Sequence, residues 1–145
     1  MTTVAAILRH KGHAVIAVAP DAFVPEITGV LRTHGIGAVL VTDRLDQMLG
    51  IVSERDIVRS LAARGAVTLG MTAAQLMTRV LTTATPATTV EQAMRLMTEN
   101  RVRHLPVLDG TRLAGMVSIG DVVKARIMEQ EQEVDSLKAY ISGAA

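Results

Sequence analysis

The sequence predicts an α+β fold made of two β-α-β-β-α units with an extended C-terminal helix, and three observations predict it. The ten residues from Gly50 to Arg59 return as Gly115 to Lys124, 65 residues later: Gly, an apolar residue, Val, Ser, two variable residues, Asp, two apolar residues and a cation. Landmarks ahead of this motif pair at an offset of 66 residues, Pro20 with Pro86, Val24 with Val90, Leu31 with Met97 and Asp43 with Asp109, so one extra residue in the first hairpin turn accounts for the difference. In each half, short apolar runs of strand type alternate with stretches of helical spacing. A period of this size in a chain of 145 residues means two copies of one unit, with an expected division into 1–66 and 67–145.

Taken in order, Thr3 to His10 reads as a short helix capped by Thr3 and ended near Gly12. Ala14 to Val18 is an apolar, β-branched run stopped by Pro20-Asp21, which predicts a strand and a turn. From Phe23 to His34 the apolar residues fall at 23, 24, 27, 30 and 31, a helical spacing that ends at Gly35. Pro25 sits in the first turn of that helix, where proline is tolerated. Ala38 to Val41 and Met48 to Val52 flank a polar turn and predict a hairpin. Ser53 then opens a helix to about Ala63, with Ile57, Val58 and Leu61 on one face.

After a linker at Arg64 to Gly70 the order repeats. A short helix is expected over Ala73 to Thr78, a strand over Val80 to Thr83 and a turn at Pro86. Thr88-Thr89-Val90-Glu91 reads as a capping box opening a helix faced by Val90, Ala93, Met94 and Met97. Arg103 to Leu108 and Leu113 to Val117 form the second hairpin, turning at Asp109-Gly110. The last helix runs from about Ile119 towards Ile141, where Ile127, Val134, Leu137 and Ile141 are spaced 7, 3 and 4. Such a stripe predicts packing against a second copy of the chain and hence a homodimer, with packing back on its own domain as the alternative.

Composition removes several functions. Fifteen basic against fourteen acidic residues leave no broad footprint for a nucleic-acid backbone or an anionic membrane. Phe23 and Tyr140 are the only aromatic residues, so stacking platforms for single strands are missing. The absence of cysteine rules out disulfides, thiolate metal sites and thiol nucleophiles, and fits a reducing compartment. No segment approaches the roughly 18 apolar residues of a membrane helix, and Met1 to His13 holds no apolar run of signal-peptide length, so a cytoplasmic protein is expected. His10, His13 and His34 have no partner spacing for a metal, and Gly35-Ile36-Gly37 lacks the remaining glycines of a dinucleotide fingerprint.

The duplicated Ser-x-x-Asp has two readings from the residues alone. Ser caps a helix and Asp returns the bond, an acidic variant of the capping box. Alternatively the helix start offers free N–H groups and a positive dipole end to a phosphate, while the carboxylate accepts from both hydroxyls of a ribose. Four cations stand near the motifs, Arg55, Arg103, His104 and Lys124, and together they would neutralise phosphate.

Pro20 and Pro86 after the first strands, His104-Leu105-Pro106-Val107 on a second strand and the doubled Gly-apolar-Val-Ser-x-x-Asp resemble the cystathionine β-synthase (CBS) domain. Two in tandem resemble the CBS pair, or Bateman module, of small stand-alone bacterial proteins. The resemblance implies two repeats packed through their sheets about a pseudo-twofold axis, leaving two clefts for adenosine-containing ligands. AMP stands first, with ATP, ADP, NAD and S-adenosylmethionine as the others. It places the ribose carboxylate on Asp56 and Asp121 and the phosphate-side hydroxyl on Ser53 and Ser118, with Arg55, Arg103, His104 and Lys124 towards the phosphate. For the base and sugar pocket it implies Ile36, Gly37 and Ala38 in the first copy, and Thr83, Leu105 and Pro106 in the second. The copies depart from each other: Ala17 stands opposite Thr83, and Ile119-Gly120 opposite Glu54-Arg55. Two unequal clefts are expected, with the one at Ser118 to Asp121 foremost.

A non-catalytic nucleotide sensor acting on a target protein in trans is therefore the leading expectation. A structural dimerisation module whose Ser-x-x-Asp only caps is the second. An enzyme ranks lower, because Ser53 and Ser118 have no evident base and no paired carboxylates or metal motif accompany them. No catalytic cofactor, nucleic acid or membrane partner is expected.

Overall fold

The computed structural model describes residues 1–79 and 82–143. Its elements are α1 (Val4–Lys11), β1 (Ala17–Val18), α2 (Val24–His34), β2 (Ala38–Thr42), β3 (Met48–Ser53), α3 (Glu54–Arg64), a 3-10 turn (Gly65–Gly70), α4 (Ala73–Leu76), α5 (Val90–Asn100), β4 (His104–Asp109), β5 (Arg112–Ser118) and α6 (Ile119–Gly143). They form two compact units that do not follow the linear halves: an inner unit, Val15–Leu81, and a split unit, Met1–Ala14 with Thr82–Ala145. The expected cut between residues 66 and 67 therefore follows the internal repeat, not the packing. Each leading helix, α1 and α4, sits in the unit of the other repeat.

Glycine explains where the leading helices go. In the inner unit a Cβ on Gly50 would lie 2.8 Å from Met77 Sδ and 2.8 Å from the Thr78 carbonyl oxygen. In the split unit a Cβ on Gly115 would lie 2.8 Å from Leu8 Cδ2. Both glycines open the repeated motif, so its first residue exists to admit the segment that packs across the strand. Thr78 continues this contact by exchanging backbone bonds of 3.0 and 2.9 Å with Ile51.

In the inner unit β1 pairs parallel with β2, and β2 antiparallel with β3, with a bulge at Val41/Thr42. Helix α2 turns Val24, Ile27 and Leu31 onto Val39, Val41 and Val52 to form the core. Asp43 fixes the hairpin by accepting from the Leu45 and Gln47 amides at 2.8 and 2.9 Å. The expected linker at 64–70 is instead ordered: Thr68 is buried, with its hydroxyl 2.8 Å from that of buried Ser60.

In the split unit α1 begins at Thr3, whose hydroxyl accepts from Ala6 N, and its Val4, Ile7 and Leu8 enter a core with Val90, Ala93, Met97, Leu105, Val107 and Val117. β4 and β5 form the hairpin, and Ala84 adds a parallel bridge to Val107, matching the Val18–Val41 pair of the inner unit. Val80 and Leu81 of the expected strand lie outside the described residues. The capping box of α5 joins Thr89 to Gln92, one residue later than expected, because Thr88 is already engaged: its carbonyl accepts from Val4 N and its hydroxyl from Thr85 N.

Candidate functional site

Each copy of the motif places a serine at a strand end and an aspartate in the first turn of the next helix. In the inner unit Asp56 Oδ2 accepts from the Ser53 amide at 2.8 Å and the Ser53 hydroxyl at 3.0 Å, while Asp56 N donates to Ser53 Oγ at 3.3 Å. In the split unit Asp121 Oδ2 accepts from the Ser118 amide at 2.8 Å and Asp121 N donates to Ser118 Oγ at 3.2 Å. Both boxes are fully formed, so capping accounts for the Ser and Asp of each copy. Each box still leaves one helix-start amide unused: Arg55 N and Gly120 N make no hydrogen bond among the described residues.

Sheet register brings the other expected residues to these junctions. His104 pairs with Ser118, and the Ile119 amide donates to the Arg103 carbonyl at 2.8 Å. Ala38 pairs with Ser53, and the Glu54 amide donates to the Gly37 carbonyl at 2.9 Å. Thr83 precedes the Ala84 bridge, which ties it to the β4 edge beside Pro106 through Ala84 N to Pro106 O at 2.9 Å. Arg55, Arg103 and Lys124 are exposed, and Lys124 lies one turn beyond Asp121 on α6. Ile36 and Gly37 are half-buried. Leu105 and Ala38 are 0% exposed, and Pro106 is buried too, so their side chains already serve the interior.

Two partners of the aspartates have no signal in the sequence. Lys11, at the end of α1, places its ammonium 2.7 Å from Asp121 Oδ2 and 3.0 Å from the Met116 carbonyl. Thr78 Oγ1 lies 3.4 Å from Asp56 Oδ1. Burial pushes the Asp121 carboxyl up, but the bonds and charge of Lys11 together with the Ser118 bonds outweigh it and hold the group below the usual carboxylate value. A cavity of about 540 Å³ between α1 and α6 is lined by Ala6, Ile7, His10, Lys11, Asp121 and Lys124, among others. It holds only two of the expected residues, Asp121 and Lys124. A second, of about 400 Å³, lies against Ala19–Asp21 and Thr42–Arg44 and holds none of them. No group of three or more His, Cys, Asp or Glu among the described residues is placed to hold a metal ion.

The family model for the CBS domain matches the chain twice, over residues 4–63 and 73–127. The chain belongs to the CBS-domain family. A mitochondrial CBS domain-containing protein of Arabidopsis thaliana, CBSX3, is 36% identical over 150 residues, covering 98% of this chain and 73% of that protein. The crystal structure of a CBS-domain containing protein from Agrobacterium tumefaciens superposes with a TM-score of 0.84 at 45% identity, over 86% of this chain and 93% of the other. CBSX2, solved in complex with AMP, superposes with a TM-score of 0.71 at 26% identity, over 90% of this chain and 99% of the other. The paired CBS repeats and mixed helix-and-sheet fold with a C-terminal helix are thus those of a CBS tandem. Among the described residues no helix is long and apolar enough to cross a membrane.

Proposed function

We propose that the chain is a non-catalytic regulatory module, built of repeats 1–66 and 67–145, that binds an adenine nucleotide at its Ser-x-x-Asp junctions and signals to a target protein in trans by changing conformation. AMP is the first ligand to test, ahead of ADP, ATP, NAD and S-adenosylmethionine. The observation that carries this reading is the Ser118–Asp121 junction: an ionised carboxylate and an uncommitted Gly120 amide sit at the start of a 25-residue helix, with Arg103 and His104 brought alongside by the sheet register. The AMP complex of CBSX2 supports the ligand class. The Asp56 junction is the weaker of the two, because its first strand offers Ala17 where the other copy has Thr83.

Calorimetric titration with the five ligands tests the reading. Binding of AMP that weakens on Asp121→Asn, with the melting temperature of the free protein kept within a few degrees, is the expected result. No heat and no thermal stabilisation from any of the five would leave the structural reading in place.

That second reading has its own support. From Gln130 to Gly143 α6 is exposed on all sides, including Val134, Leu137 and Ile141 at 51, 59 and 62%. An apolar stripe of this length supports a homodimer through α6. The absence of cysteine supports a cytoplasmic location.

A further inference from the structure

Lys11 lies at the last position of α1, and its ammonium ties that helix to the Ser118–Asp121 junction. Asp121 Oδ2 already accepts from the Ser118 amide and from Lys11, whereas Oδ1 accepts no hydrogen bond from the described residues. Among the described residues the inner unit has no cation bonded to Asp56. At the 66-residue offset Lys11 corresponds to Met77, whose sulfur packs on Gly50, and Asp56 meets the neutral hydroxyl of Thr78 instead. Lys11 and Asp121 also line the α1–α6 cavity, where Lys124 adds a second cation and Glu129 a second carboxylate.

A ribose diol engages both oxygens of a carboxylate, one hydroxyl to each. Oδ2 has two donors already, so a ribose arriving there displaces the ammonium. Lys11 is exposed, so the ammonium parted from Asp121 returns to water at little cost, but it gains a new charge-assisted partner only if the incoming molecule carries an anion. A 5′-phosphate beside the Ser118 helix start is such an anion; a nucleoside brings none. Resting on the adenine-nucleotide reading above, we propose that Lys11 is the specificity-determining residue of the split-unit site: its ammonium passes from Asp121 to the phosphate, so the site selects nucleotides against nucleosides. The inner-unit site, with Thr78 in that role, discriminates less.

The test uses the whole chain with Asp56→Asn, which keeps an acceptor for the α3 cap while weakening the other site. AMP and adenosine are titrated by calorimetry into this protein and into its Lys11→Met and Lys11→Arg derivatives, with melting curves to verify folding. The ratio of AMP to adenosine affinity is expected to fall about tenfold in Lys11→Met, the size of one charge-assisted hydrogen bond, and to return in Lys11→Arg. An unchanged ratio in a Lys11→Met protein that still binds AMP overturns the role of Lys11 and leaves the nucleotide reading standing. Absence of AMP binding to the Asp56→Asn protein removes the nucleotide reading at Asp121 and this inference with it.

Discussion

Replacing Gly50 with alanine tests whether the first residue of the repeated motif is structural. The added Cβ would meet Met77 Sδ and the Thr78 carbonyl oxygen, each at 2.8 Å, where ordinary contact begins near 3.4 Å. One of these is a side chain with three rotatable bonds and can turn away; the other is backbone, locked to Ile51 by bonds of 3.0 and 2.9 Å. A retreat of about 0.6 Å by Thr78 would stretch both bonds past useful length. At about 1 kcal/mol net for each bond, with about 1 kcal/mol for off-rotamer Met77 and about 0.7 kcal/mol returned by the stiffer unfolded chain, the balance is a loss of roughly 2 kcal/mol.

Urea unfolding measures it. With an m-value of about 2 kcal/mol/M the midpoint falls by about 1 M. Adding Met77→Ala to Gly50→Ala recovers the side-chain part and leaves the carbonyl part, so the double mutant is expected to regain about half of the loss beyond additivity. A Gly50→Ala protein within about 0.5 kcal/mol of wild type would falsify the close-approach account.

Three other outcomes follow from particular contacts. The folded-state pKa of Asp121 is lowered, so its contribution to stability is complete above the ordinary value of about 4 and is lost as pH falls through the folded value; Asp121→Asn should flatten that acid limb in urea midpoints measured from about pH 6 to pH 2, and a limb of unchanged slope refutes the assignment. Ser60→Ala leaves the buried Thr68 hydroxyl without its 2.8 Å partner and should cost about 1–2 kcal/mol, most of it recovered in Ser60→Ala/Thr68→Val; a cost near zero for the single change shows the pair to be idle. Leu137→Asp, in the middle of the exposed α6 stripe, should shift sedimentation from dimer to monomer without altering the melt of the two units, and a wild-type protein that is monomeric at all concentrations removes the α6 interface.

Element by element, the sequence was most legible where local chemistry decides. Thr3 and Ser53 cap helices, Gly12 and Gly35 end them, and the 24, 27, 31 spacing faces the core as read. It was least legible where a distant segment decides. The apolar run from Ala14 to Val18 makes a strand only at Ala17–Val18, because only those residues pair with β2. Thr88 read as the start of the α5 capping box, but Val4 and Thr85 engage it and Thr89 caps instead. Arg64 to Gly70 read as a linker, yet its Thr68 is held inside by the hydroxyl of Ser60. At the site, hairpin register was readable and carried Arg103 and His104 to Ser118, but Lys11 was not, since 110 residues separate it from Asp121 and no period links them.

The structure also changes what the duplication can say about ligands. In Gly-x-Val-Ser-x-x-Asp the glycine admits the leading helix, the valines Val52 and Val117 fill cores, and Ser with Asp closes a capping box. Each of these needs would preserve the motif in a chain that bound nothing. Evidence about binding therefore lies where the copies disagree: Lys11 against Met77, Gly120 against Arg55, Thr83 against Ala17. They do not all point one way: Lys11 puts a cation on Asp121 and Thr83 adds a hydroxyl to the split unit, whereas Glu54-Arg55 is the polar pair beside Asp56 and the second helix-start amide is open in both copies. A cap alone has no need of an ammonium 2.7 Å from its carboxylate, and that single departure, Lys11 on Asp121, is the one that favours a ligand there over a cap that happens to be polar.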